Sequence, residues 1–397
     1  MTQSNDATPQ KMAGVRIMRR DWVLLPLLGL LTTAFICVSA ELIARRSFSE
    51  SSTSLESCLV LTDASTGVRG IPNSVCWEKK LESALVEFRL DNAGYRSGTV
   101  NGPKSPGVYR IVLIGSSIAM GERVPFDETL AALLPKKLSL QSSRKIELYN
   151  EGMAYGFARN TALRFPDVLA ADPDMILWVL TPLDVERAGF DYVKDSLNRV
   201  VAPDGMLDAA KKAILDKIRK HGGDIIIGQA LRHWWYEIQS QNQYVQSYLL
   251  NRLDDGEAGF LRSELTPEWR AHLREFDSYA ADIAKKARAA GIPLIVTLAP
   301  NRGQAAMISL GDWPAGYDPY RLDKELQSII VNRGGIYLDI LPNFRNLPGA
   351  EHLYYPMDGH PDARGQAVFA DFLTEKLGAG AFPELTASPT AESNQEK

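Results

Sequence analysis

The chain has 397 residues, 45% of them hydrophobic and 23% charged, which suits one large globular domain with appendages. A formal net charge of −4, with no basic stripe interleaved with aromatics, argues against nucleic acid as a partner.

The N-terminal segment stands out. From Trp22 to Ala44 the sequence reads WVLLPLLGLLTTAFICVSAELIA, uncharged between Asp21 and Glu41. A helix needs about 20 apolar residues to cross a bilayer, and this run meets that length. Lys11, Arg16, Arg19 and Arg20 precede it, which keeps residues 1–21 in the cytoplasm by the positive-inside tendency. Arg45 and Arg46 follow and weaken the asymmetry, while Pro26 does not stop a spanning helix. The competing reading is a cleaved signal, because Val38-Ser39-Ala40 resembles a small-residue cleavage site. In both readings the rest of the chain is exported. The expected location is therefore the inner (cell) membrane, single-pass, with the large domain in the periplasm or extracytoplasmic space.

Residues 45–84 read as a stalk and N-terminal extension, polar and mobile over 47–57, where serines are frequent. Cys58 and Cys76 fall in this extension, and Cys37 lies in the apolar run. In an oxidising compartment Cys58 and Cys76 either close a short loop or sit as two separate buried thiols.

Residues 85–380 alternate between short apolar runs and helical patterns. The runs are Tyr109–Ile114, Ile146–Tyr149, Met175–Leu180, Pro293–Leu298 and Ile336–Ile340. Each is apolar on both faces, as in a covered parallel sheet. Helices are expected over Asp127–Leu140, Arg159–Ala171, Phe276–Ala290, Tyr320–Asn332 and Asp362–Leu377. The fold class is thus α/β, three-layer, with a mainly parallel sheet covered by helices. Residues 185–275 break the alternation and read as a helical insertion, with helical patterns at Met206–Lys220 and Ile225–Leu253. Residues 381–397 are polar and read as a disordered tail.

Two places carry chemistry. The first strand ends in Gly115-Ser116-Ser117 before a helical pattern. A serine at such a junction is exposed beyond the sheet, next to backbone N–H groups that can stabilise developing negative charge. By itself the tripeptide also fits an ordinary loop. Near the end, Asp358-Gly359-His360 precedes the last helix, and an acid beside a histidine can fix its tautomer and stabilise the imidazolium. His233 sits in RHWWYE as a packed or surface residue, and no histidine or cysteine cluster has metal-ligand spacing. No cofactor or metal is expected.

In order along the chain, these segments resemble the SGNH/GDSL hydrolase family. FRLDNAGYR is similar to the segment preceding the sheet in exported members, and YRIVLIGSSIAMGERV resembles the nucleophile block. YNEGMAYGFARN resembles the second block, IPLIVTLAPNRGQ the penultimate strand and its loop, and DGHPDARG the last block. The resemblance implies Ser117 as nucleophile, His360 as base, Asp358 as its acid, and the N–H groups of Ser117 and Gly152 as oxyanion donors. An acid two residues before the base resembles the envelope polysaccharide O-acetylation branch. Two departures stand out: Ser116 replaces the usual aspartate, and Thr181-Pro182-Leu183-Asp184 replaces Gly-x-Asn-Asp. Leu183 cannot donate to an oxyanion, so Asn150, Thr181 and Asn301 become the alternative donors.

The expectation is an exported serine esterase or acyltransferase. Its substrate would be O-acyl, chiefly O-acetyl, groups on an envelope or secreted glycan, with Trp178, Trp234, Trp235 and Tyr236 as sugar-stacking candidates. The alternative is a catalytically degenerate relative that binds a glycan or an envelope assembly partner.

Overall fold

The computed structural model describes residues 20–47, 51–192, 226–252 and 258–379, apart from 52, 64, 99–101 and 143, together with 382 and 385. The expected helix over Met206–Lys220, the segment before Arg20 and most of the tail after residue 381 lie outside these residues.

The apolar N-terminal run forms helix α1 (Asp21–Ser47), with Pro26 inside it. Trp22–Ser47 is long and apolar enough to cross a membrane, at a mean hydropathy of 2.2, and its most apolar stretch is not buried against the rest of the chain.

A small module follows. Strands β1 (Leu59–Asp63) and β2 (Gly67–Gly70) form one antiparallel pair, and β3 (Val75–Glu78) and β4 (Val86–Arg89) another. Cys58 and Cys76 are joined by a disulfide with Cα atoms 6.0 Å apart. Leu55, Val68, Phe88 and Leu90 make the module's own core, which packs on Met120 and Met153 of the main domain. The segment expected to be a mobile stalk is tied down where it is described. The Ser51 N–H donates to Lys79 O at 3.0 Å, and the Thr53 hydroxyl donates to Trp77 O at 2.6 Å.

The main domain starts with β5 (Tyr109–Gly115), then α2 (Ser117–Met120), α3 (Leu130–Gln141), β6 (Ile146–Asn150) and α4 (Ala158–Ala170). It continues with β7 (Met175–Leu180), α5 (Pro182–Glu186), α6 (Ile226–Ile238), α7 (Gln241–Arg252) and α8 (Pro267–Ala289). The last elements are β8 (Leu294–Leu298), α9 (Arg302–Leu310), α10 (Arg321–Asn332), β9 (Ile336–Tyr337) and α11 (Ala363–Gly378).

Five strands pair in the order β6-β5-β7-β8-β9, every pair parallel. Every residue of β5, β7 and β8 is buried, so helices cover both faces, as their continuous apolar runs require. Helix α8 begins nine residues before the sequence-based boundary at Phe276. Thr266 caps it by accepting the Trp269 N–H, Pro267 fits the first turn, and Trp269, Leu273 and Phe276 extend its buried stripe. In this strand order β6 lies on one side of β5 and β7 on the other. The crevice beyond the carboxyl ends of β5 and β7 is therefore the topological switch point, where such sheets bind ligands.

Candidate active site

Gly115 ends β5 at φ +145°, and a Cβ there would lie 2.4 Å from the Val179 carbonyl oxygen of β7, so only glycine fits. The chain then turns into α2 with Ser117 at its first position. The Ser116 hydroxyl points inward and donates to Asp184 Oδ2 at 3.0 Å. The departure from the aspartate expected at 116 thus ties the nucleophile block to the 181–184 block.

Ser117 Oγ lies 2.8 Å from His360 Nε2, although 243 residues separate them in sequence. His360 Nδ1 contacts Asp358 Oδ1 at 2.5 Å. With the proton on Nδ1 donated to Asp358, Nε2 is left to accept from the serine hydroxyl. Burial pulls the imidazole pKa down, but the hydrogen bond and charge of Asp358, with the charge of Glu122, outweigh it and raise the net value above 6.5. Burial works against ionised Asp358 too, yet its bonds and charges with His360 and Arg123 hold its carboxyl well below the usual range.

The loop carrying Asp358 is held from outside the sheet domain. Arg123 Nε donates to Asp358 Oδ2 at 3.1 Å, and its guanidinium pairs with Glu122 and with buried Glu78 of β3. The Glu82 carboxylate accepts the N–H of Met357 at 2.9 Å and of Asp358 at 3.0 Å. Glu78 and Glu82 both belong to the disulfide-linked module. Sequence reading missed all three positions. Arg123 was visible within the nucleophile block, but nothing local marks Glu78 or Glu82, whose links to Arg123, Met357 and Asp358 each span more than forty residues.

The second wall differs from expectation. The Gly152 N–H, expected as an oxyanion donor, donates to Asn150 Oδ1 at 2.9 Å, within a two-residue turn after β6. Gly152 is nonetheless required, since a Cβ would lie 2.4 Å from the Met120 nitrogen. Asn150 is fully buried, and its amide nitrogen has no partner among the described residues. The Thr181 N–H and hydroxyl both donate to Asp184, whose carboxyl burial raises to about 6 against the pull of these bonds. Asn301 caps α9 by accepting the Gln304 N–H, and its amide donates to Tyr248 Oη at 3.0 Å. Each of the three alternative donors is therefore engaged or buried.

A cavity of about 440 Å³ opens on Ser117 and His360, with Leu183, Thr181, Asn301 and Tyr236 in its walls. Leu183, where the resemblance expects asparagine, is 42% exposed. Arg302 lines the cavity too. It is 4% exposed, donates to the Glu351 and Pro356 carbonyls, lies 4.2 Å over the Tyr244 ring, and its buried Nη2 has no partner among the described residues. Its position directly after the β8 loop Pro300-Asn301 was the available signal. Of the stacking candidates, Tyr236 lines the cavity, Trp178 is core against Phe276, and Trp234 and Trp235 are exposed outside the cavity. Among the described residues, no group of three His, Cys, Asp or Glu gathers as metal ligands.

Chemically, the arrangement can move a proton from Ser117 to His360 and hold the resulting charge beside Asp358. No protein-family model matches the chain, and no curated protein matches it in sequence. Among solved structures it is similar to TesA, at 12% identity and a TM-score of 0.38, over 68% of this chain and 97% of that one. The lipase/acylhydrolase from Enterococcus faecalis gives 12% and 0.37, over 68% and 96%. LAE5, an alpha/beta hydrolase from the metagenome of Lake Arreo, Spain, gives 14% and 0.39, over 68% and 95%. At these identities and TM-scores the likenesses carry no weight for the activity of this chain.

Proposed function

We propose that the chain is an exported, membrane-tethered serine esterase or acyltransferase. Its substrates are O-acyl groups, chiefly O-acetyl, on an envelope or secreted glycan, and its site is Ser117, His360 and Asp358. The supporting observation is the continuous contact from Ser117 Oγ through both imidazole nitrogens to Asp358, assembled from opposite ends of the main domain.

In this reading Ser117 Oγ attacks the ester carbonyl carbon while its proton passes to His360 Nε2. Asp358 stabilises the imidazolium without taking its proton. Collapse of the tetrahedral intermediate breaks the bond to the leaving alkoxide, which takes the proton from Nε2 and leaves the acyl group on Ser117. Water or a sugar hydroxyl then gives its proton to His360 and attacks the acyl carbon, and the bond to Ser117 breaks as Oγ takes that proton back from Nε2. The Ser117 N–H in the first turn of α2 supplies one oxyanion donor. A second comes from Gly152 once its N–H leaves Asn150, or from the buried Asn150 amide or Arg302 Nη2, neither of which has a partner among the described residues.

A fluorophosphonate probe tests the reading directly, because it labels only an activated serine. Labelling of the wild-type chain that disappears in Ser117→Ala supports it. The second reading is a non-catalytic protein that binds a glycan or an assembly partner, and it draws on Leu183 and the committed donors of the second wall. A folded wild-type chain that the probe leaves unlabelled would establish that reading instead.

A further inference from the structure

Helix α6 has two unlike sides. Toward the protein, His233 Nδ1 meets Glu82 at 2.7 Å and Tyr236 lines the cavity, so the helix cannot roll. Toward the outside, Leu231, Trp234, Trp235 and Ile238 are 58%, 59%, 56% and 51% exposed. Their i, i+3, i+4, i+7 spacing places all four on one face. Four large apolar side chains grouped this way are not the scattered singletons of an ordinary soluble surface.

The helix also starts at a defined level. The Ile226 and Ile227 N–H groups at its first turn donate to the Glu41 carboxylate, at 3.2 and 2.9 Å. Glu41 lies near the end of α1, whose exposed Leu42 and Ile43 continue the apolar surface. Twenty residues run from Trp22 to Glu41, a rise of about 30 Å at ~1.5 Å per residue, which matches the hydrocarbon thickness of a bilayer. Packing on α1 begins only at its carboxyl end, where Ala44 is buried. Helix α6 therefore meets the anchor at the membrane boundary rather than running alongside the span.

We infer that α6 is a membrane-surface helix, with Leu231, Trp234, Trp235 and Ile238 seated in the headgroup and upper acyl region of the bilayer that α1 spans. Tryptophan suits that layer because its ring is apolar and its N–H is polar. A helix in the interface plane buries one apolar face in this way. The inference rests on the reading of α1 as an anchor. It adds that the wall of the cavity carrying Tyr236 is fixed against the membrane surface.

The test uses the full chain in phospholipid nanodiscs, with Cys37→Ala and one nitroxide at a time on Leu231→Cys, Trp234→Cys, Trp235→Cys or Ile238→Cys. Glu237→Cys and Leu30→Cys serve as references. Collision with oxygen reports lipid, and collision with a water-soluble nickel chelate reports solvent. The expected result is an oxygen-to-chelate ratio at all four positions several-fold above that of Glu237→Cys and on the same side as Leu30→Cys. Chelate access equal to that of Glu237→Cys overturns the inference, as does shielding from both colliders, which would mean a protein covers the face. Either result with Leu30→Cys in lipid leaves the anchor standing, whereas an aqueous Leu30→Cys removes both. A second measurement avoids cysteine variants. Lipid with brominated acyl chains should quench a smaller share of tryptophan emission when Trp234 and Trp235 are both replaced by Phe, and an unchanged share overturns the inference.

Discussion

The two walls of the cavity commit their polar groups in opposite ways. On the wall formed by residues 355–360, each group points to the next, from Glu82 and Glu78 through Arg123, Asp358 and His360, until the series ends on Ser117. On the wall formed by residues 150–152, 181–184 and 301, the Gly152 and Thr181 donors point at neighbouring side chains and the Asn301 amide at Tyr248, while the buried Asn150 amide nitrogen has no partner among the described residues. The first wall is arranged for moving a proton, and the second holds its own shape. Proton transfer can thus be well built in a site whose stabilisation of negative charge is not.

The largest expected effect breaks the first wall. Ser117→Ala and His360→Ala should each lower hydrolysis of a p-nitrophenyl acetate-type ester by about 10⁴-fold or more, to the uncatalysed background. Activity unchanged by both would move the chemistry elsewhere. The next repairs the second wall. Leu183→Asn places an amide where the resemblance expects one, and restoring such a donor should raise kcat by about 10²-fold, at most ~10³. An unchanged kcat would mean that another group already serves the oxyanion.

A smaller effect separates charge from position. His360 must be neutral to act as base, and its pKa is raised, so the acidic limb of kcat/KM should fall above pH 6.5. Arg123 holds that pKa down by its positive charge while anchoring Asp358. Arg123→Gln should therefore cost about 10- to 100-fold in kcat through misplacement and move the limb to higher pH. Asp358→Asn should move it to lower pH. Limbs that do not part in opposite directions would count against the charge network.

The smallest effect concerns stability on the second wall. Burial raises the Glu151 carboxyl to about 8, and its Oε1 has no partner among the described residues. Between its ordinary value of 4.5 and about 8 the folded chain keeps a proton that the unfolded chain loses, so its contribution falls as pH rises, by at most ~1.4 kcal/mol per unit. Glu151→Gln should gain Tm over wild type at pH 8 and little at pH 4. An equal difference at both pH values would contradict this.

Four of the sheet strands were legible because continuous apolar runs of parallel strands carry their signal locally, whereas the fifth, expected over Ile336–Ile340, is a two-residue edge strand, Ile336–Tyr337, that is not buried. Tyr109–Gly115, Ile146–Asn150 and Met175–Leu180 lie within a residue of their expected limits. That Ser117, Asp358 and His360 meet was legible because residue type, turn residues and order together narrowed the choice. The strands β1 to β4 were not, since four or five residues alternating between exposed and buried give too short a pattern among serines and glycines. The committed donors were not legible either. Whether Asn150 accepts from Gly152, or Thr181 gives its hydroxyl to Asp184, depends on side-chain direction after the turn, which residue type does not specify.

The disulfide between Cys58 and Cys76 bears on timing. Cys76 lies two residues before Glu78 and six before Glu82, the carboxylates that hold the loop of the candidate base. Closing a loop with a sequence separation of 18 stabilises the folded module by roughly 3 kcal/mol. In a reducing compartment that crosslink is absent, and the small core around Phe88 alone keeps the two carboxylates in register. A chain with both thiols reduced should then hold the two carboxylates less firmly than the oxidised one, and, if the proposed activity holds, turn over more slowly.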